Sequence, residues 1–211
     1  MELCLAGGSK PRRGRNPFRA GIRGACGGGQ FKTTAQSIPN TKLGLPIEGR
    51  DHIQGNIKAP ITLLEYGDYE CPYCGEAYPI VKEIQERLGE KLSFTFRNFP
   101  LANSHPHAVH AAEAAEAAAA QGHFWEMHDA LYENQQALED EDLAQYAADL
   151  GLDAERLIRE VQSRQHEVRV KEDFKGGMHA GVNGTPTFFI NGERYDGPRD
   201  VESFLEALAE K

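Results

Sequence analysis

The segment YECPYCGEAYP, Tyr69 to Pro79, sets Cys71 and Cys74 two residues apart with an acidic side chain on each flank. That spacing admits three chemistries: a dithiol/disulfide couple, half of a metal site, or two inert thiols that are neighbours by chance. A structural zinc site takes four ligands, commonly two such pairs, and the chain has no second CxxC. His105, His107, His110, His123, His128, His166 and His179 offer nitrogen donors, but the His107/His110 pair opens a helical segment far from the cysteines, and surface or packing roles suit these residues better. Inert thiols do not need the proline that follows Cys71 and suits a first helical turn. The redox couple is the reading that uses all of these residues.

Thiol chemistry requires thiolate, which is stabilised where unpaired N–H groups and the helix dipole gather. The run ITLLEY, Ile61 to Tyr66, is apolar and β-branched and reads as a strand that Gly67-Asp68 breaks. Ala77, Ile80, Val81, Ile84 and Leu88 then fall at helical spacing, with Pro72 at the start and Gly89 at the stop. Cys71 therefore opens a helix as an exposed attacking sulfur, and Cys74 lies one turn inside, placed to resolve a mixed disulfide. Asp68, Glu70 and Glu76 oppose negative charge there, so the expectation is a Cys71 pKa only moderately below the ordinary thiol value.

Around this motif, LSFTF (Leu92 to Phe96) alternates as a second strand, completing a βαβ unit of a parallel sheet. From Pro106 to about Gly181 every periodic segment is helical, with Gly151 closing one helix and Asp153 capping the next. TFFI, Thr187 to Ile190, meets Asn191-Gly192 and ERY, a strong hairpin signal. Val201, Phe204, Leu205 and Leu208 form the apolar stripe of a closing helix. The order is β, α, β, a helical insertion, a β-hairpin and α.

The 211 residues, 40% of them hydrophobic, suffice for one domain with extras. Residues 1–42 carry Lys10, Arg12, Arg13, Arg15, Arg19, Arg23, Lys32 and Lys42 against Glu2 alone, a net of +7, so within the formal net charge of −9 the remainder carries −16. An acidic body excludes a nucleic-acid surface on the folded part. The Gly- and Arg-rich segment 1–42, which holds Cys4 and Cys26, is expected to be disordered, and the folded domain to occupy 43–211 with order beginning near Leu43. Arg12-Arg13 is followed by no apolar run of secretory length, and no segment is apolar enough to span a bilayer. The expected setting is therefore cytoplasmic, without membrane association.

Taken together, CPYC after a strand, the helical insertion and the segment GVNGTPTFFINGERYDG resemble the thioredoxin superfamily and, within it, the DsbA-like thiol:disulfide oxidoreductases. The resemblance spans Asp51 to Lys211 and implies an α/β, thioredoxin-like fold with an inserted all-helical subdomain at about 105–181. It implies that Cys71 is the nucleophile and Cys74 the resolving thiol, and that a cis peptide at Thr185-Pro186 faces them. Thr185 and Pro186, with Pro72 and Tyr73, would meet substrate. It also places Glu65 as a buried carboxylate assisting proton transfer, with an exposed edge residue as the alternative that composition allows. Pro79 matches a helix-kinking proline. No cofactor is implied, since the electrons reside in the dithiol; the implied partners are protein thiol or disulfide substrates and a further redox partner. The dipeptide Pro72-Tyr73 resembles that of glutaredoxins rather than the Pro-His of the strongly oxidising periplasmic member. The direction of exchange, oxidase, reductase or isomerase, stays open across about −270 to −120 mV, with a reducing cytosol favouring a reductase or redox relay. Two other roles are compatible with the resemblance: a glutathione-dependent isomerase or transferase, and a non-catalytic binding module of the same fold.

Overall fold

A computed structural model describes residues 46–47 and 49–210. The basic segment 1–42 with its two cysteines, and Leu43, lie outside the described residues. A five-stranded sheet has the order β1-β3-β2-β4-β5. Its centre is the pair β2 (Ile61–Gly67) and β3 (Leu92–Asn98), parallel and linked through α1 (Pro72–Leu88). β4 (Thr187–Ile190) runs antiparallel to β2, and β5 (Glu193–Tyr195) returns antiparallel to β4. Between them Asn191 and Gly192 have φ of 47° and 80°, the left-handed pair that a two-residue hairpin requires.

Two local departures from the sequence expectation have physical reasons. β1 (His52–Gly55) pairs antiparallel with the outer edge of β3. Its sequence HIQG has one apolar side chain, so no alternation announces it. The second departure is at Gly67, which does not break the strand but ends it, opposite Asn98. A Cβ at this position would lie 2.4 Å from the Phe96 ring and 2.6 Å from the Tyr132 hydroxyl. Close packing from above, not a turn, calls for glycine there.

Strand alternation divides the core into two layers. Leu63 on β2, with Phe94, Phe96, Phe188 and Ile190 of its neighbours, packs with α1 and with α7 (Val201–Ala209). Leu64, Tyr66 and Phe189 point to the opposite side and join Phe99, Val182 and Phe174. Glu65, in step with Leu63, is thereby set on the face that α1 covers.

The span between β3 and β4 holds α2 (Ala108–Ala119), α3 (Phe124–Glu133), α4 (Asp140–Asp149), α5 (Ala154–Gln162) and α6 (Glu167–His179). α2 packs against each of the other four. Its alanines at 111, 112, 114, 115, 117 and 118 are all buried, so small side chains let the surrounding helices approach on every side. Gly151 closes α4 with φ of 73°, and Asp153 caps α5 by accepting the Arg156 N–H at 2.9 Å. Among the described residues no helix is long and apolar enough to cross a membrane.

On the layer away from α1, Arg97 is 2% exposed and binds Asp51 through Nε and Nη2, both at 2.8 Å, while Nη1 donates to the Tyr66 hydroxyl at 3.0 Å. Breaking a buried, doubly bonded ion pair costs about 3–5 kcal/mol. Arg97→Met is expected to lower the denaturant midpoint accordingly without altering the reactivity of the cysteines, as paired unfolding and thiol-alkylation measurements would show.

Candidate active site

Cys71 is the N-cap of α1, with extended backbone at φ −72° and ψ 120°, and Pro72 begins the helix. Because Pro72 has no N–H, the first-turn amides that reach the Cys71 sulfur are those of Tyr73 and Cys74, and both stabilise negative charge on it. The largest influence is the hydrogen bond from the Cys74 thiol; burial works against the thiolate, and Thr185 adds a further hydrogen bond. The balance brings Cys71 down from an ordinary 9.0 to about 5. Cys74 moves the other way: burial pushes it well above the usual thiol value, and donation to Cys71 and the charge of Glu65 reinforce the shift. Its sulfur accepts the Asp68 N–H at 3.5 Å. One sulfur is thus ionised at neutral pH while its neighbour keeps a proton.

Across from α1, the Thr185-Pro186 peptide bond is cis. The Thr185 carbonyl lies 3.4 Å from the Cys71 sulfur and accepts a hydrogen bond from it when the thiol is neutral. Both sulfurs are covered, Cys71 being 3% and Cys74 0% exposed, which corrects the expectation of an exposed nucleophile. The insertion reaches the backbone of this loop. Gln135, after α3, donates through Nε2 to the carbonyls of Tyr69 and Cys71 at 2.7 and 2.9 Å. Its amide oxygen lies so near Gly75 that a Cβ there would come within 1.9 Å. Pro72 and Tyr73 remain at the surface, Tyr73 at 59% exposure.

The acidic flanks do something other than oppose the thiolate. Asp68 accepts the N–H groups of Glu70 and Leu101 at 2.9 and 2.8 Å and binds His105 Nδ1 at 2.7 Å. Glu70 accepts the His107 N–H at 2.6 Å and pairs with His107 Nδ1 at 2.9 Å. Burial disfavours charge on His105, but its bond to Asp68 holds its pKa above the ordinary value; Glu70 does the same for His107. These carboxylates fasten the segment before α2 to the active-site loop, and Glu76 faces solvent. The groups that act most on Cys71 include none of the three, which is why its pKa falls further than their presence in the sequence suggests.

Glu65 lies beneath the cysteines on central strand β2, 3% exposed, with Oε1 lacking a hydrogen-bond partner. Burial first, and then the charge of Cys71, push its carboxyl from 4.5 up to about 8. Pro79 lies within α1. Among the described residues no cluster of three or more His, Cys, Asp or Glu has a metal-holding arrangement. Two depressions of about 390 and 530 Å³ lie farther along α1, around Lys82 and Glu86, and neither cysteine lines them.

A sequence model of the family described as thioredoxin matches residues 48–210. The chain belongs to the thioredoxin family. Within it, the fold is that of the DsbA-like thiol–disulfide oxidoreductases. BdbD from Bacillus subtilis, in its oxidised form, superimposes with a TM-score of 0.69 at 23% identity, covering 76% of this chain and 91% of that one. A thioredoxin-like oxidoreductase from Silicibacter pomeroyi DSS-3 gives 0.67 at 25% identity over 76% and 90%. α-DsbA1 from Wolbachia pipientis gives 0.67 at 21% identity over 80% and 93%. Curated relatives carry a different name. Na(+)/H(+) antiporter NhaA 1 from Mycobacterium sp. strain KMS is 42% identical over 185 residues, which are 84% of this chain and 30% of the relative. NhaA 1 from Salinispora arenicola is 45% identical over 167 residues, 79% of this chain and 26% of the relative. The chain spans less than a third of the length of these relatives.

The thioredoxin-family motif brings Cys71, Cys74, Glu65, Thr185, Pro186, Pro72 and Tyr73 to one end of α1 and the strands beside it. Gln135, His105 and His107 were not legible as parts of this family's site. Each acts through a backbone group or carboxylate far away in sequence, and such a contact leaves no periodicity or motif to read.

Proposed function

We propose that this thioredoxin-family domain catalyses thiol–disulfide exchange with protein or small-thiol substrates through the Cys71-Cys74 dithiol. The observation that carries the reading is the asymmetry of the pair, Cys71 drawn down to about 5 beside a Cys74 pushed up by burial. The Cys71 thiolate attacks one sulfur of a substrate disulfide. The substrate S–S bond breaks, a Cys71–substrate bond forms, and the other substrate sulfur leaves as a thiolate that takes a proton from solvent. Cys74 gives up its proton, with Glu65 as the acceptor, and attacks Cys71. The second substrate sulfur then leaves, two electrons have passed to the substrate, and the domain holds a Cys71–Cys74 disulfide. Run in reverse, the same steps oxidise a dithiol. Backbone beside Pro186 would hold an extended substrate segment.

A stabilised thiolate favours the dithiol form and raises the potential above that of thioredoxin. Shifting a thiol pKa from about 7 to about 5 contributes about 2 kcal/mol at pH 7, or about 50 mV for a two-electron couple, placing this one near about −220 mV. Equilibration against glutathione redox buffers measures it; a value at or below about −270 mV would remove the reading of Cys71 as a strongly stabilised thiolate. At about −220 mV a cytosolic glutathione pool keeps the couple mostly reduced, and the domain would act there as a reductase. The antiporter relatives favour a second reading, concerning the partner rather than the chemistry: a redox domain serving a membrane transporter. Mixed disulfides trapped on C74S would then be recovered from membrane fractions rather than soluble ones.

A further inference from the structure

Among the described residues, each arginine other than Arg199 is paired with a carboxylate. Arg199 is exposed, directly precedes the α7 cap Asp200, and instead holds its guanidinium carbon 5.8 Å from the centre of the Tyr73 ring. Tyr73 stands between the two cysteines, so this contact fixes a positive charge at the rim of the redox centre. Arg199 also forms part of the wall of a cavity of about 150 Å³ that runs by Tyr195 and Arg194 to Pro186. Through Pro186 the cavity adjoins Thr185, whose carbonyl is 3.4 Å from the Cys71 sulfur.

The other charges on this wall cancel. Asp196 is bound by Arg194 Nε at 2.8 Å, and Arg194 Nη1 is fixed on the Gly181 carbonyl at 2.8 Å. The Tyr195 hydroxyl donates to the Pro198 carbonyl at 2.7 Å. Arg199 is left as the open planar donor, shaped to take a carboxylate in a two-bond fork. In a chain of formal net charge −9, an arginine without a carboxylate at this position is available to a charge that comes from outside.

We infer that Arg199, held by Tyr73, is a specificity-determining residue that selects thiol or disulfide substrates bearing a carboxylate close to the reacting sulfur. An acidic residue one or two positions from a peptide cysteine would supply it; so would a small thiol acid such as glutathione. This rests on the exchange chemistry proposed above. The test compares rates of reduction for two disulfide peptides that differ only in Glu or Lys beside the cysteine, and for glutathione disulfide and its carboxyl-esterified form. The wild-type domain is expected to favour the acidic member by about fivefold, the range of a rim ion pair. R199E should reverse the order, R199Q should abolish it, and added salt should shrink it. A preference in the peptide pair assigns the site to acidic peptides; one confined to the glutathione pair assigns it to a small thiol acid, and both support the inference. Equal rates within both pairs, or a preference that R199E leaves unchanged, overturn it while the exchange activity stands. Absence of exchange with every probe overturns the exchange reading and the inference with it.

Discussion

C71S is expected to lower the rate of exchange by about 10⁴-fold or more, toward the level of the uncatalysed reaction, because the neighbouring sulfur, Cys74, is fully buried and keeps its proton. C74S should behave differently. It keeps the nucleophile, so it forms the mixed disulfide on Cys71 and stalls there, and denaturing non-reducing gels would show a substrate adduct that dithiothreitol releases. The two variants separate the rival roles. A binding module of the same fold would lose nothing in C71S, and a glutathione-dependent transferase would retain turnover in C74S. A pH series adds a third readout. Alkylation of Cys71 should rise with an inflection near about 5, so at pH 7 the sulfur is almost wholly thiolate, against a few per cent for an ordinary thiol near about 8.5. In C74S the donor that contributes most to the low value is altered, and that inflection should move upward.

The parts of this molecule that sequence made legible are those whose signal is local. Ile61 to Tyr66, the helix behind Cys71, the Leu92 to Phe96 alternation and the Asn191-Gly192 hairpin each carry their period or turn residues within themselves, and each occurs in the structure. β1 carries no such signal, since its place is set by the edge of β3 that it covers. The site divides in the same way. Cys71, Cys74, Thr185 and Pro186 were legible together because a motif names them. The behaviour of Asp68 and Glu70 was not. In sequence they are charges beside a thiol, whereas in three dimensions their oxygens are occupied by His105, His107 and backbone N–H groups of the segment leading into α2. Counting charges along one loop assigns them to the wrong partner when another segment supplies the counter-charge. Gln135 shows the complementary limit, a neutral side chain whose role comes wholly from the carbonyls of Tyr69 and Cys71 that it reaches.

Glu65→Gln should have two effects, both set by a carboxyl that burial holds near about 8. The first is on stability. A carboxyl at about 8 in the folded state and 4.5 when unfolded keeps a proton on folding that the unfolded chain releases across that window. Its contribution is undiminished below about 4.5 and is lost as pH climbs to about 8. E65Q removes this slope, so the variant should match wild type near pH 4 and exceed it by a few kcal/mol at pH 9. The second effect is on catalysis. While Cys71 is a thiolate, its charge helps keep Glu65 protonated. In the proposed exchange, formation of the mixed disulfide would remove that charge and lower the Glu65 pKa toward the value that burial alone sets, the direction that helps the carboxylate take the Cys74 proton. E65Q should leave the first, capturing step intact and slow the second by about 10²-fold, the usual worth of a positioned base. Rapid-quench separation of mixed disulfide from released product would show the intermediate accumulating. Equal slowing of both steps would mean that Glu65 acts through packing alone.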